Sequence, residues 1–443
     1  IRRSYLLAVL LLLSLSTAAS ADKIDDFVRS EMDRQHLPGV SVVVIKDQKI
    51  VKVAGYGLAN MELNVPATPE TVYKIGSVSK QFIAAGIILL VNDGKVSLDD
   101  RVSKYLESTP ESWSSITVRH LLTHTSGIVR EAPGFDPLKI QADADVIKTA
   151  YSLPLRFQPG EKWEYCNVGY FSLAEIIRKV SGKSWGDFLT ERLFTPLGMT
   201  STRTTDMTAL IPNRANGYVW REGKFQNASV YLALRPSGAF LSTVRDLARW
   251  DAALSSLQIF KQESLNEMWA PVKLNSGQTS PYGFGWEIDK VGGHLNVHHG
   301  GSMPGFRSQF ARFVDDKVTI AVLTNGDNAN AELIALGIAN FYISGLLPVR
   351  KIAAVNPKMF DAYVGQYKPD PSSTVVVSKD GDKLMFQLGR NGEKRQLLPE
   401  TETSFFLREN PRNTYTFVKD ASGQEFLTLS VDGREVNRAK KAN

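Results

Sequence analysis

Strand-like runs stand at the two ends of a long helical stretch, and that arrangement constrains the fold more than any other feature. Gly39–Ile45 and Lys49–Ala54 are dense in valine and isoleucine and meet across a short Asp47-Gln48 turn. The pattern returns only at His294–His299, Arg307–Val314 and Lys317–Thr324, the last two joined by Asp315-Asp316. From about Ser77 to Leu274 apolar residues recur mostly at helical spacing, interrupted by Pro133-Gly134 and Pro159-Gly160. One helix there, Gly169–Val180, stops at Ser181-Gly182. Ile24, Phe27, Val28 and Met32 share a helical face near the start, and Ala331–Ile343 forms another helix after the last strand. Strands so far apart must pair to bury their apolar faces. The chain therefore predicts an α/β (α+β) fold: an antiparallel sheet flanked by helices, with an all-helical subdomain inserted.

The character changes after Gly345 and Pro348. From Lys358 to Lys441 short strands alternate with turn signals at Asp380-Gly381, Asn391-Gly392, Ser422-Gly423 and Asp432-Gly433, which predicts a small all-β barrel or sandwich. At the other end, Arg2-Arg3, the apolar run Tyr5–Leu15 and the small residues Ala19-Ser20-Ala21 form a secretory signal. That run is shorter than the roughly 20 apolar residues of a membrane helix. The predicted organisation is a signal peptide over 1–21, a main domain over 22–345, a linker over 346–357 and the small β domain over 358–443. It implies a periplasmic or secreted protein with no membrane span once the signal is removed. A lone cysteine, Cys166, excludes an internal disulfide, so stability rests on packing. The net charge of +6 is dispersed, with no basic groove interleaved with aromatics, which excludes a nucleic-acid partner. The sequence leaves the oligomeric state open.

Within the helical stretch, Ser77-Val78-Ser79-Lys80 opens an apolar helix. Read as its N-cap, Ser77 calls for Glu or Gln three residues on, and Lys80 stands there instead. A cation at the positive end of the helix dipole is destabilising. The same field, with burial, depresses the amine pKa and leaves a base beside a hydroxyl, which is the chemistry of an activated nucleophile. Tyr165-Cys166-Asn167 follows a Pro-Gly turn. Asn167 either caps the next helix or orients a substrate carbonyl; Tyr165 is either a core aromatic or a proton shuttle near Lys80. His299-Gly300-Gly301-Ser302 ends a strand, where two glycines admit a close backbone or a ligand. Amides of Ser77 and Ser302 can then face one oxyanion.

Together these segments resemble the penicillin-binding and serine β-lactamase superfamily, in particular its class C β-lactamase and D-alanyl-D-alanine carboxypeptidase branch. That branch carries S-x-x-K, Y-x-N, and then K-T-G or H-x-G, in this order. Leu121–Gly127, Phe157–Gly160, Pro196–Met199, Tyr282–Trp286 and Pro304–Phe306 are similar to further markers of the branch, and the resemblance spans about 24–345. The C-terminal part is similar to lipocalin-like barrels appended to some peptidases of the family. The resemblance implies an exported serine hydrolase acting through an acyl-enzyme, with Ser77 as nucleophile, Lys80 as base and Tyr165 sharing proton transfer. Asn167, His299, Gly301 and Ser302 are implied to bind a small-molecule or peptide substrate, without metal or cofactor. His299 departs from the Lys-Thr-Gly of true β-lactamases. A histidine is mostly neutral near pH 7, so it anchors a substrate carboxylate less firmly. The expected chemistry leans to a D-amino-acid peptidase, amidase or esterase rather than efficient β-lactam hydrolysis. The alternative is a non-catalytic penicillin-recognising or cell-wall-binding protein on the same fold.

Other catalytic patterns fail on their spacing. His294, His298 and His299 lack an acid at H-E-x-x-H spacing. Gly300-Gly301-Ser302-Met303 breaks the G-x-S-x-G elbow at Pro304, and Gly182-Lys183-Ser184 lacks the upstream glycine of a P-loop, where Ile177 stands. Cys166, as the middle of Y-x-N, reads as a small filler rather than a nucleophile.

Overall fold

A computed structural model of the chain describes residues 23–205, 208–230, 235–370, 373–389 and 392–442. The secretory signal, and Asn391 of one expected turn, lie outside these residues. Two compact units are present: one runs to Ile343 without 291–293, and the other comprises Val291–Gly293 and the chain from Ser344 onward.

The first unit is built on a sheet of seven strands. They are β1 (Gly39–Lys46), β2 (Lys49–Asn60), β3 (Val65–Pro66), β4 (Glu287–Val291), β5 (His294–Met303), β6 (Phe306–Phe313) and β7 (Val318–Thr324). Their spatial order is β4-β5-β6-β7-β1-β2-β3. β1 and β2 are joined by Asp47 and Gln48 at φ 49° and 62°, the left-handed pair of a tight hairpin turn. β1 then pairs antiparallel with β7, from Val40 opposite Thr324 to Lys46 opposite Val318. The two ends of the unit are thus closed into one sheet.

β1 is nearly continuous valine because both of its faces are covered. Val43, Ile45, Ala321, Leu323 and Phe310 look into the main core. Val42, Val44, Ile320 and Val322 are equally buried on the opposite side, as the alternation of a strand requires. Helix α1 (23–35) and helix α5 (Ala331–Ala339) pack together there: the Phe27 ring lies on Gly337 and edge-on to Phe341 at 6.0 Å. α5 ends four residues before the predicted Ile343.

Across the main core, α2 (Lys80–Asn92) is buried from Lys80 to Leu90. It packs against α3 (Asn167–Ser181), with Ile177 closing on Gly86. α4 (Val244–Ser256) covers β1 and β7. The insert and the segment just before it also carry short ladders that the helical periodicity did not reveal, at Tyr73–Lys74, Arg203–Thr204, Tyr218–Arg221, Lys224–Asn227 and Phe240–Ser242.

The second unit is a closed barrel of eight strands, from Gly365–Asp370 to Arg434–Lys441, sealed where Tyr367 meets Lys441. Its interior is filled by side chains such as Leu384, Leu397 and Phe405, as barrels of this size require. The chain leading into it is fastened to it: Arg350 Nε donates to the Pro411 carbonyl at 2.8 Å and Ala353 N to that of Pro399 at 2.9 Å.

Candidate active site

Ser77 is not a helix cap. It lies in a 3-10 turn, Gly76–Ser79, makes no capping bond, and α2 starts only at Lys80. The cause is the neighbouring strand. Gly76 takes φ 51°, and a Cβ there would stand 2.6 Å from Ser302 N; a Cβ on Gly301 would run into the Ile75 carbonyl oxygen. The turn is therefore pressed against Gly301 and Ser302, which brings the backbone of Ser77 beside that of Ser302. β5 also runs four residues past the predicted His299, so both glycines sit inside the strand. Met303 pairs with Phe306 across a Pro304-Gly305 turn.

Lys80 is completely buried. Its Nζ lies 2.9 Å from Asn167 Oδ1, 2.9 Å from the Ser237 carbonyl oxygen and 3.3 Å from Ser77 Oγ. The rings of Tyr165 and Tyr170 flank it at 4.6 and 5.2 Å. Burial holds the amine well below its ordinary value; the Arg235 charge works in the same direction and Glu131 against it. Burial is the largest cause of the shift.

Asn167 is the first residue of α3 and not its cap. That place belongs to Cys166, whose Sγ accepts from Gly169 N at 3.3 Å. Buried with its proton pushed up to about 12 by desolvation, the thiol is a structural group. The Asn167 amide is committed on both sides, Nδ2 donating to Glu131 Oε1 at 2.6 Å. Tyr165 is half-buried, and burial raises its phenol pKa while a hydrogen bond to Ser77 opposes the rise.

His299 reaches the site as a ring rather than as a donor. It lies 6.1 Å from the Tyr165 ring, but Nε2 meets the Tyr282 hydroxyl at 3.0 Å and Nδ1 the Gly300 carbonyl at 2.6 Å. The predicted direct hold on substrate finds both nitrogens already engaged. Burial, aided by Lys80, lowers its pKa to about 3, so the imidazole is neutral. His124, at φ 60°, stacks beside Tyr165 and Tyr282 and accepts from Cys166 N at 3.1 Å. It too is held neutral by burial.

Glu131, Arg235 and Ser237 were missed in the sequence because they sit in loops with no periodicity. They close a ring around the amine: Lys80 to Asn167, Asn167 to Glu131, Glu131 to Arg235, Arg235 Nε to Ser237 Oγ at 3.0 Å, and the Ser237 carbonyl back to Lys80. Arg235 also lines a cleft of about 390 Å3 with Ser302, Arg221 and Asp327.

A serine hydroxyl beside a buried amine of lowered pKa suits acyl transfer. The family profile described as Beta-lactamase matches residues 24–341. The chain belongs to the β-lactamase family. It is a serine hydrolase of that family, and residues 349–436 match a domain of unknown function, DUF3471. Penicillin-binding protein 4* of Bacillus subtilis strain 168 is 31% identical over 437 residues, covering 91% of this chain and 95% of the relative. A D-aminopeptidase of Brucella melitensis biotype 2 is 27% identical over 398 residues, 86% of this chain and 73% of the relative. The octameric penicillin-binding protein homologue from Pyrococcus abyssi superposes with a TM-score of 0.67 at 27% identity, covering 95% of this chain and 99% of that one. Among the described residues no helix is long and apolar enough to cross a membrane.

Proposed function

We propose that the protein is an exported hydrolase that acylates Ser77 with amide or ester carbonyls of D-amino-acid peptides, amides or simple esters, and hydrolyses β-lactams less well. The main domain over 22–345 carries this chemistry, joined by 346–357 to the β domain over 358–443. The supporting observation is the set of partners around Lys80. Asn167 Oδ1 and the Ser237 carbonyl are pure acceptors and use both hydrogens of a neutral amine. Its lone pair is left for the third neighbour, the Ser77 hydroxyl, 3.3 Å away.

Lys80 takes the Ser77 proton as Oγ attacks the carbonyl. The oxyanion rests between the amides of Ser77 and Ser302. Tyr165, bonded to Ser77, passes the proton to the leaving group, and water later frees the acid through the same groups. Asn167 keeps the amine in place and has the second N–H of Nδ2 to orient substrate, while His299 fixes Tyr282 behind Tyr165. A neutral His299 offers no cation to a substrate carboxylate, which supports D-amino-acid amides and esters over penicillins; the D-aminopeptidase relative points the same way.

Intact-mass analysis after a fluorophosphonate tests the mechanism: one adduct is expected, mapped to Ser77 and absent in Ser77→Ala. A panel of D-alanyl peptides, p-nitrophenyl esters and nitrocefin tests the substrate class. Faster turnover of nitrocefin than of every ester and D-peptide would reverse the assignment.

A further inference from the structure

At the far end of the sheet from Ser302, a second cavity of about 250 Å3 opens between strands β1, β6 and β7 and helix α4. Ser302 is paired with Arg307, and Arg312 lies about 17 Å further along β6. Register then sets Arg312 beside Thr319 and Thr319 beside Ile45, so three adjacent strands form the cavity floor. None of its lining residues belongs to the Ser77 site.

Arg312 is only 6% exposed. Its Nε donates to Asp251 Oδ1 at 2.7 Å and its Nη2 to Ser255 Oγ at 2.8 Å, while Nη1 is buried without an acceptor among the described residues. The Trp269 ring lies 5.0 Å from the guanidinium carbon, and its buried Nε1–H likewise has no acceptor. A buried donor left unpaired is destabilising and almost always answers to a partner. Asp251 does not fill that role here: its Oδ1 takes Arg312 Nε and the Thr319 hydroxyl, and no hydrogen bond joins the carboxylate to Nη1. It does cancel the Arg312 charge. Among the lining residues the remaining charge is then that of the exposed Lys317. Leu254, Leu265 and Phe313 supply apolar walls.

The geometry points to a binding site for a small carboxylate with a short apolar chain. Its carboxylate oxygens accept from Arg312 Nη1 and Trp269 Nε1, and its chain lies along the leucines.

Trp269 supplies a site-resolved readout. The protein has seven tryptophans, and the indole N–H signal missing from the 1H–15N spectrum of Trp269→Phe identifies that of Trp269. Titration of the full chain with hexanoate is expected to move this signal downfield with saturation, while hexanamide leaves it in place. Lys317→Asn changes only an exposed side chain and suits the left-handed backbone there (φ 53°). It is expected to weaken the apparent Kd by about two- to fivefold, the size of one screened surface charge. A stationary Trp269 signal, an equal response to hexanamide, or an unchanged Kd in Lys317→Asn would each overturn the site. Hydrolysis of p-nitrophenyl esters by Trp269→Phe at the parent rate is the expected control; a large loss of rate would place Trp269 in the hydrolytic machinery and count against a separate site.

Discussion

Gly301→Ala tests whether strand β5 sets the position of Ser77. A Cβ on Gly301 would lie 2.9 Å from the Ile75 carbonyl carbon and press on its oxygen and on Ser308 Oγ. Neither neighbour yields alone, because the Ser308 hydroxyl donates to that same oxygen at 2.7 Å. Ordinary carbon contacts begin near 3.5 Å, so the turn carrying Ser77 must retreat by roughly 1 Å. A misplacement of that size costs about 10²-fold in rate, close to 2.7 kcal/mol of barrier. Overpacking lowers stability by about 1–3 kcal/mol as well. Gly300→Ala is the matched control: its Cβ would meet chiefly Gln309 Oε1, at 3.0 Å, the end of a flexible side chain. Neither glycine has a left-handed φ, so the contrast is purely steric. Single-turnover acylation by a fluorophosphonate should slow about 10²-fold in Gly301→Ala and stay near the parent rate in Gly300→Ala. Equal rates in the two variants would refute the reasoning.

Lys80→Met should abolish acylation, by about 10²–10⁴-fold, while raising Tm at pH 7. The unfolded chain holds the lysine proton up to its ordinary value near 10.5 and the folded chain releases it well below, so stability rises with pH between the two values. Calorimetry should show the gain of Lys80→Met shrinking toward pH 10.5. Tyr165→Phe should cost about 10²-fold or more on amides but little on p-nitrophenyl esters, whose leaving group needs no proton; stopped-flow assays with both separate the cases. Cys166→Ala should lose about 1 kcal/mol of stability through the helix cap and keep its activity, and iodoacetamide should leave the native enzyme unaffected.

The sheet was legible because its strands are among the most apolar runs in the chain, and the three motifs were legible as segments whose side chains the fold brings together around Lys80 and Tyr165. What stayed hidden has physical reasons. The 3-10 turn at Gly76–Ser79 arises from the approach of Gly301 and Ser302, a contact between residues far apart in sequence, so local capping rules misread Ser77. Cys166 rather than Asn167 is the cap because the helical backbone already begins at Asn167, whose amide is turned to Lys80 and Glu131. His299 was legible as a member of the site, but its engagement by Tyr282 was not, since hydrogen bonds inside an aromatic cluster leave no periodic trace.

Those hidden contacts decide the chemistry. An amide can present either its oxygen or its nitrogen to Lys80. Glu131 accepts from Asn167 Nδ2 and so turns Oδ1 toward the amine. With the amide reversed, its N–H would compete for the lone pair that Ser77 needs, and the base would be lost without any change at Ser77 or Lys80. Arg235, paired with Glu131, offsets the carboxylate charge that would otherwise favour protonated Lys80. Because these two charges oppose each other, burial decides the state of the amine. On the proposed mechanism, a lysine at the start of an apolar helix becomes a base only once Glu131 has fixed the amide and Arg235 has cancelled the Glu131 charge.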